Sequence, residues 1–181
     1  MSLSDSDLIA RVLLDDDHHA FAELVRGHQS AVRGILRKLT RGNEVLADEL
    51  AHETFLRAYR SLRKFRGEAK FSTWLYRIAY NVFQSDARAA KHHEPFEENV
   101  HAPAQPSNAE AVDLKHDIEL AMQTLNERER IAITLCYTSG LTHEEAAEVL
   151  QWPLGTVKTQ ILSAKDKLRR YLLPWQNRTL T

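Results

Sequence analysis

Apolar residues at steps of three and four run through most of this 181-residue chain, and one stretch interrupts them. That spacing is one face of an α-helix. In 20–39 it is carried by Phe21, Leu24, Val25, Val32, Ile35, Leu36 and Leu39, with His28 filling one step. A second helix over 45–62 carries Leu46, Leu50, Ala51, Ala58 and Leu62. The segment "RKFRGEAKFS" (63–72) breaks the pattern with Gly67 and clustered charge and reads as a loop, and a third helix runs from Thr73 to Lys91. The interruption itself, "HHEPFEENVHAPAQPSNAEA" (92–111), holds three of the five prolines and few large apolar side chains. It has no material for a core and reads as a flexible linker. Fully extended, it spans about 60–70 Å. Helices resume near Val112. No strand pair or repeat appears. The expected fold is all-α: two small helical domains, 1–91 and 112–181, joined by the linker 92–111.

Charge divides along the same lines. The formal net charge is only −1. Yet residues 1–19 carry −4, residues 20–91 carry +7, residues 92–120 carry −6 and residues 121–181 carry +2. Two basic helical blocks flank an acidic one, the arrangement of a protein with a polyanionic partner. No apolar run approaches the roughly 18–20 residues of a membrane span. The N-terminus is acidic where a secretory leader is basic, and the lone Cys136 has no internal disulfide partner. The expected location is the cytoplasm.

Residues 142–170 have the layout of a helix-turn-helix. Asn126 with Glu129, and Thr142 with Glu145, each fit a capping box at a helix start, with Leu141 placed to staple onto Ala146 and Gly140 closing the helix between. Ala146, Ala147 and Val149 are small enough for close helix approach, and Pro153 separates the two helices. In the second helix Leu154, Val157, Ile161, Ala164 and Leu168 form the core stripe at steps of 3, 4, 3 and 4. Thr156, Lys158, Thr159, Gln160, Ser163, Lys165 and Lys167 lie off that stripe. Hydroxyls, an amide and lysines suit a DNA groove and its phosphates. An amphipathic hairpin packed on another protein needs only a polar face, so this module alone does not settle function.

The N-terminal block adds a second face. Phe71, Trp74, Leu75, Ile78 and Val82 form a buried stripe, while Lys70, Thr73, Arg77, Asn81 and Arg88 recur on another side, with Tyr76 and Tyr80 beside it. Bases, an amide and aromatic rings together suit single-stranded DNA.

At this point "LADELAHETFLRAYRSLRKFRGEAKFSTWLYRIAYN" resembles region 2 of bacterial extracytoplasmic-function (ECF, group 4) sigma factors of the sigma-70 family. "LNERERIAITLCYTSGLTHEEAAEVLQWPLGTVKTQILSAKDKLRRYL" resembles their region 4. The resemblance covers about 8–91 and 114–173, in the family's order. It implies a region 2 helical bundle over 1–91, a region 4 helix-turn-helix over 112–181, and an acidic linker threading near the RNA exit path. It also implies recruitment of core RNA polymerase to promoters, with Glu49, His52 and Glu53 facing the polymerase clamp. His52 departs from the Gln that the family usually shows there. The −10 element, captured as a single strand with a flipped base, falls to Phe65, Arg66, Lys70, Phe71, Ser72, Thr73, Arg77 and Asn81. The −35 duplex falls to Thr142, Thr156, Lys158, Thr159, Gln160, Ser163 and Lys165. Many relatives carry Arg where this chain has Gln160, Ser163 and Lys165, so the preferred promoter is expected to differ. The family's usual control is an anti-sigma factor, within stress responses. Only "LPWQNRTLT" follows the last helix, too short for a regulatory domain.

Enzyme readings find little. "HEEAA" (143–147) and "HETFL" (52–56) lack the second His of a zinc-protease motif. His92, His93 and His101 lie in the linker without metal-ligand spacing, and no Gly-rich phosphate loop occurs. No catalytic residue, metal or cofactor is expected. The remaining alternative is a LuxR-like regulator, which requires a sensor domain ahead of the helix-turn-helix.

Overall fold

The computed structural model describes residues 3–92 and 117–176, and these fall into two compact units. Of the expected linker 92–111, His92 is the last residue of a helix; the rest, and the helix start near Val112, lie outside the described residues. Among those described, no strand occurs.

In the first unit α1 spans Asp5–Asp15, α2 His18–Leu39, α3 Glu44–Ser61 and α4 Phe71–His92, with a 3₁₀ turn at Leu62–Lys64. Periodicity read from residue 20 onward does not mark α1, whose start is a capping box. Ser4 accepts from the Asp7 amide at 3.2 Å, and the Asp7 carboxylate accepts from the Ser4 amide at 3.2 Å. Asp17 then caps α2 through the amides of His19 and Ala20, and ion-pairs with Arg11 at 2.7 Å. One aspartate thereby joins two helices across the tight turn at Asp16, whose φ is 50°.

Helix α2 is the central element, packed against α1, α3 and α4. Its inward residues Leu24, Val32, Ile35, Leu36 and Leu39 are all at most 2% exposed. Each large aliphatic buried this way contributes roughly 1.5–3 kcal/mol, and Leu36→Ala would cost about 2–5 kcal/mol once the cavity is included. The helix stops where Gly42, at φ 87°, returns its amide to the Arg37 carbonyl. Asn43 then caps α3 through the Leu46 amide. The buried side of α3 consists of Ala47, Leu50, Ala51, Thr54 and Ala58, and all but Leu50 are small enough to let its backbone approach α2 and α4. Thr54 satisfies its buried hydroxyl on the Leu50 carbonyl at 2.7 Å.

The second unit contains α5 (117–123), α6 (Glu127–Ile133), α7 (His143–Leu150) and α8 (Leu154–Gln176). The Asn126–Glu129 capping box is formed, both bonds at 2.9 Å. The Thr142–Glu145 box is also formed, at 2.9 and 3.1 Å. The helix after Asn126 was expected to run regularly to Gly140. Instead its α-helical part ends at Ile133 and a π-helical turn, Thr134–Thr138, leads to Gly140 at φ 67°. Steps of three and four do not resolve one wide turn from a continuing α-helix. Val157, Ile161 and Ala164 of α8 are buried as expected, and Ala164 joins a core with Leu125 and Ile133, flanked by Met122 and Leu168. Helix α8 extends to Gln176, beyond Arg170 where the sequence pattern fades.

Candidate nucleic-acid interface

On α3, Glu49 and His52 are exposed and Glu53 is half-buried. Their spacing of three and four places them on one side of the helix. Arg57, one turn on, donates to Glu53 at 2.6 Å. That hydrogen bond, aided by the positive charges of Arg57, Arg60 and His52, outweighs desolvation and holds the Glu53 carboxyl below the ordinary carboxylate range.

The loop before α4 is turned by Gly67, at φ 73°. Phe65 packs edge-on to Phe71 at 5.7 Å and tilted against Trp74 at 5.3 Å. The His28 ring also meets Phe71 edge-on at 5.2 Å, and His28 Nε2 pairs with Asp5 at 3.0 Å. The loop anchor is thus held by α1 and α2 as well as by α4. Of the residues expected to take the −10 strand, Arg66, Lys70 and Asn81 are exposed, and Phe65, Ser72 and Arg77 are half-buried. Phe71 and Thr73 are not on the surface: they are 5% and 1% exposed. The aromatic part of the expected face also needs correction. Tyr76 and Tyr80 are 7% and 3% exposed, so the rings belong to the core. The reason is packing on two sides. Both α2 and α3 contact α4, so its buried arc is wider than the single stripe that the sequence marks. The accessible face of α4 and its loop is basic and amidic, with Phe65 and Trp74 as its half-exposed rings.

In the second unit, Lys158 and Thr159 of α8 are exposed and Thr156 and Gln160 half-buried. The Thr159 hydroxyl donates to the Gly155 carbonyl at 2.8 Å. Thr142 is exposed, but its hydroxyl oxygen accepts from the Glu145 amide as the cap of α7. Lys165 is exposed with its ammonium 4.9 Å over the Tyr137 ring. Ser163 is placed differently from the expected reading position: its hydroxyl donates to Glu129 at 2.7 Å, and Lys167, one turn on, donates to the same carboxylate at 2.8 Å. Burial raises the Glu129 pKa, but the bonds from Lys167, Ser163 and the Asn126 amide outweigh it and hold the carboxyl below its ordinary range. Of the α8 residues expected to read the −35 element, Lys158, Thr159 and Lys165 are exposed.

Sequence reasoning finds Glu129 as a helix cap and misses its second role. Its partners sit 34 and 38 residues away, beyond any local signal. Among the described residues no group of three or more His, Cys, Asp or Glu is arranged to hold a metal ion, and no helix is long and apolar enough to cross a membrane.

Comparison with known proteins matches this architecture. Residues 24–93 match the family model Sigma-70 region 2, and 115–168 match Sigma-70, region 4. The chain is 32% identical to the ECF RNA polymerase sigma-E factor of Haemophilus influenzae, over 95% of this chain and 97% of that protein. It is 34% identical to the RNA polymerase sigma-H factor of Pseudomonas aeruginosa, over 94% of each. Among solved structures, the sigma factor RpoE in complex with the anti-sigma factor NepR from Bartonella quintana aligns with a TM-score of 0.70 at 25% identity, covering 84% of this chain and 96% of that one. CnrH in complex with the cytosolic domain of CnrY aligns with a TM-score of 0.69 at 25% identity, covering 93% and 96%. The chain belongs to the ECF sigma factors of the sigma-70 family. The residues that precede the helix-turn-helix, where a LuxR-like regulator carries its sensor, match Sigma-70 region 2 over 24–93.

Proposed function

We propose that this chain recruits core RNA polymerase to a specific set of promoters, through 1–91 as region 2 and 112–181 as region 4 joined by the linker 92–111. Glu49, His52 and Glu53 face the polymerase clamp. Helix α8, through Thr156, Lys158, Thr159 and Gln160, enters the major groove of the −35 element. Phe65, Arg66, Lys70, Ser72, Arg77 and Asn81 receive the −10 strand. The observation that carries this reading is the presence, in one chain, of two separate helical units that each present basic and amidic side chains on a rigid helix.

The work of the protein is positional. Duplex contacts to phosphates set register and base-edge contacts set sequence. Extruding a base costs a few kcal/mol, and a shaped pocket offsets it. Differential affinity for the open strand then shifts the opening equilibrium without a chemical step. No catalytic residue or cofactor enters. Gln160 favours adenine where an arginine would favour guanine, so the −35 preference differs from that of arginine-bearing relatives. The setting is cytoplasmic, and control falls to an anti-sigma factor, as in the complexes of RpoE with NepR and CnrH with CnrY.

The test is multi-round transcription with purified core polymerase on a library of genomic fragments, with and without the protein. Initiation from a discrete set of fragments only when the protein is present is the expected result. Duplex binding without polymerase, combined with no protein-dependent initiation, would reject the reading.

A further inference from the structure

We infer that Asp5 and His28 are positioning residues for the −10 loop: held by the Asp5 carboxylate, the His28 ring sets Phe71, and through it the surface ring Phe65, in the stance that receives a strand base. His28 fills one step of the apolar stripe of α2, where a leucine would serve packing alone. Its side chain is only 16% exposed, yet it carries a directed bond. Nε2 lies 3.1 and 3.0 Å from the two carboxylate oxygens of Asp5. An ionised carboxylate only accepts, so Nε2 is the protonated ring nitrogen and donates. Asp5 is itself fixed. It is the first residue of α1, whose start is locked by the Ser4–Asp7 capping box and whose Leu8, Ile9 and Val12 are buried.

What the pair holds is a chain of rings. His28 meets Phe71 edge-on, with centroids 5.2 Å apart and planes at 71°. Phe71 meets Phe65 at 5.7 Å and Trp74 at 5.6 Å, and Phe65 meets Trp74 at 5.3 Å. Phe71 is buried, whereas Phe65 and Trp74 are half-buried and reach the surface. Residues 65–70 belong to no helix, so no backbone repeat fixes Phe65, and its ring contacts govern where it stands. Aliphatic packing behind Phe71 would fill the space without setting its tilt. An edge-on ring prefers one orientation, and the bond to Asp5 fixes the plane of the histidine that supplies it. A captured base gains by stacking on a ring, and that gain depends on where the ring stands. The inference rests on the reading of Phe65 and its loop as the −10 interface, and extends it to two residues that touch no DNA.

The test uses holoenzyme reconstituted from core polymerase, and a promoter fragment selected by the transcription experiment, opened as a bubble across −10. Each base of the exposed strand is replaced in turn by an abasic site. The ratio of affinities, intact over abasic, is read at the position where the unaltered protein loses most. H28A is expected to lower that ratio by about two- to tenfold, the equivalent of one edge-on ring contact. H28F, which keeps a ring, and D5A, which keeps the histidine, should each lower it by a smaller factor. The double variant D5A/H28F should lower it no further, because both changes break the same bond. Competition for core polymerase and binding to a −35 duplex should be unchanged throughout. An unchanged ratio in H28A overturns the pair. If H28A also loses competition for core polymerase, H28F and D5A decide, and an unchanged ratio or additive losses in them overturn it. An unaltered protein insensitive to every abasic site refutes the underlying −10 reading, and the pair with it. Sensitivity that the unaltered protein and all variants share equally refutes the pair alone.

Discussion

Removing the Glu129 carboxylate should loosen α8 from α6 more than any surface ion pair could. Its residue is 2% exposed, and the carboxylate accepts from the Asn126 amide at 2.9 Å, from Ser163 at 2.7 Å and from Lys167 at 2.8 Å. Glu129→Ala deletes all three bonds while sparing the cap that Asn126 provides to the Glu129 amide. A hydrogen bond between neutral groups is worth about 0.5–1.5 kcal/mol and one to a charged group about 1.5–3 kcal/mol. Lys167 is 37% exposed and regains water on release, so its share falls at the low end. Three bonds at the low end of the charged-group range sum to about 4.5 kcal/mol; relief of the buried carboxylate's desolvation offsets part of this, leaving an expected loss of about 2–4 kcal/mol. For a unit of this size each kcal/mol moves the midpoint by roughly 4–8 °C. Thermal unfolding of the full chain, with hydrogen exchange on α6 and α8 amides to isolate the second unit, measures it. A double-mutant cycle of Glu129→Gln with Lys167→Met should show coupling of about 1 kcal/mol. The same cluster sets an acid limit. The folded pKa of Glu129 lies below its ordinary value of 4.5, so its contribution is fully present above about that pH. The contribution is lost as pH falls through the lower, folded value. Glu129→Gln should remove that part of the acid profile. A destabilisation by Glu129→Ala under about 0.5 kcal/mol, small even for one neutral hydrogen bond, would refute the reasoning.

Other outcomes can be stated briefly. Ser163→Ala should leave the −35 base preference unchanged, because the hydroxyl is engaged by Glu129; a promoter-selection assay that shifts preference at one position would return Ser163 to the reading face. Lys158→Ala, at an exposed position of α8, should weaken −35 binding by about 1–3 kcal/mol if the lysine reaches a base, measured by titrating holoenzyme onto promoter fragments. Asn81→Ala should slow open-complex formation, followed by permanganate footprinting, and spare core binding; unchanged melting rejects its role. Glu53→Ala should reduce competition with another sigma factor for core polymerase; full competition would remove the α3 face from the clamp interface.

Much of this fold is legible before any coordinates, because its determinants are local. The capping residues Asn43, Asn126 and Thr142 bond to amides three positions away, and the stripe Val157, Ile161, Ala164 follows the helix repeat itself. Such relations need only the neighbouring turn, so the helices from α2 onward and the helix-turn-helix can be read from residue order. Helix α1 carries the same local signals, the Ser4–Asp7 cap and the buried Leu8, Ile9 and Val12, but they lie ahead of the stripe that starts at Phe21.

What tertiary structure decides is which side of each helix remains available. Residue order places Tyr76, Tyr80 and Thr73 on or beside a polar face, and the family resemblance sets Phe71 at the −10 strand, yet α4 is covered by two neighbours at once and those side chains go inside. Residue order places Ser163 among the DNA-reading positions, yet the chain returns α6 beside α8 and a buried carboxylate claims it. Likewise Asp5 meets His28 across 23 residues, and Arg60, Lys64 and Asn81 meet in a cleft that no single segment contains. Hydrogen bonds and burial within a helix are set by a repeat of a few residues. Partners across helices are set by where the packed chain comes back.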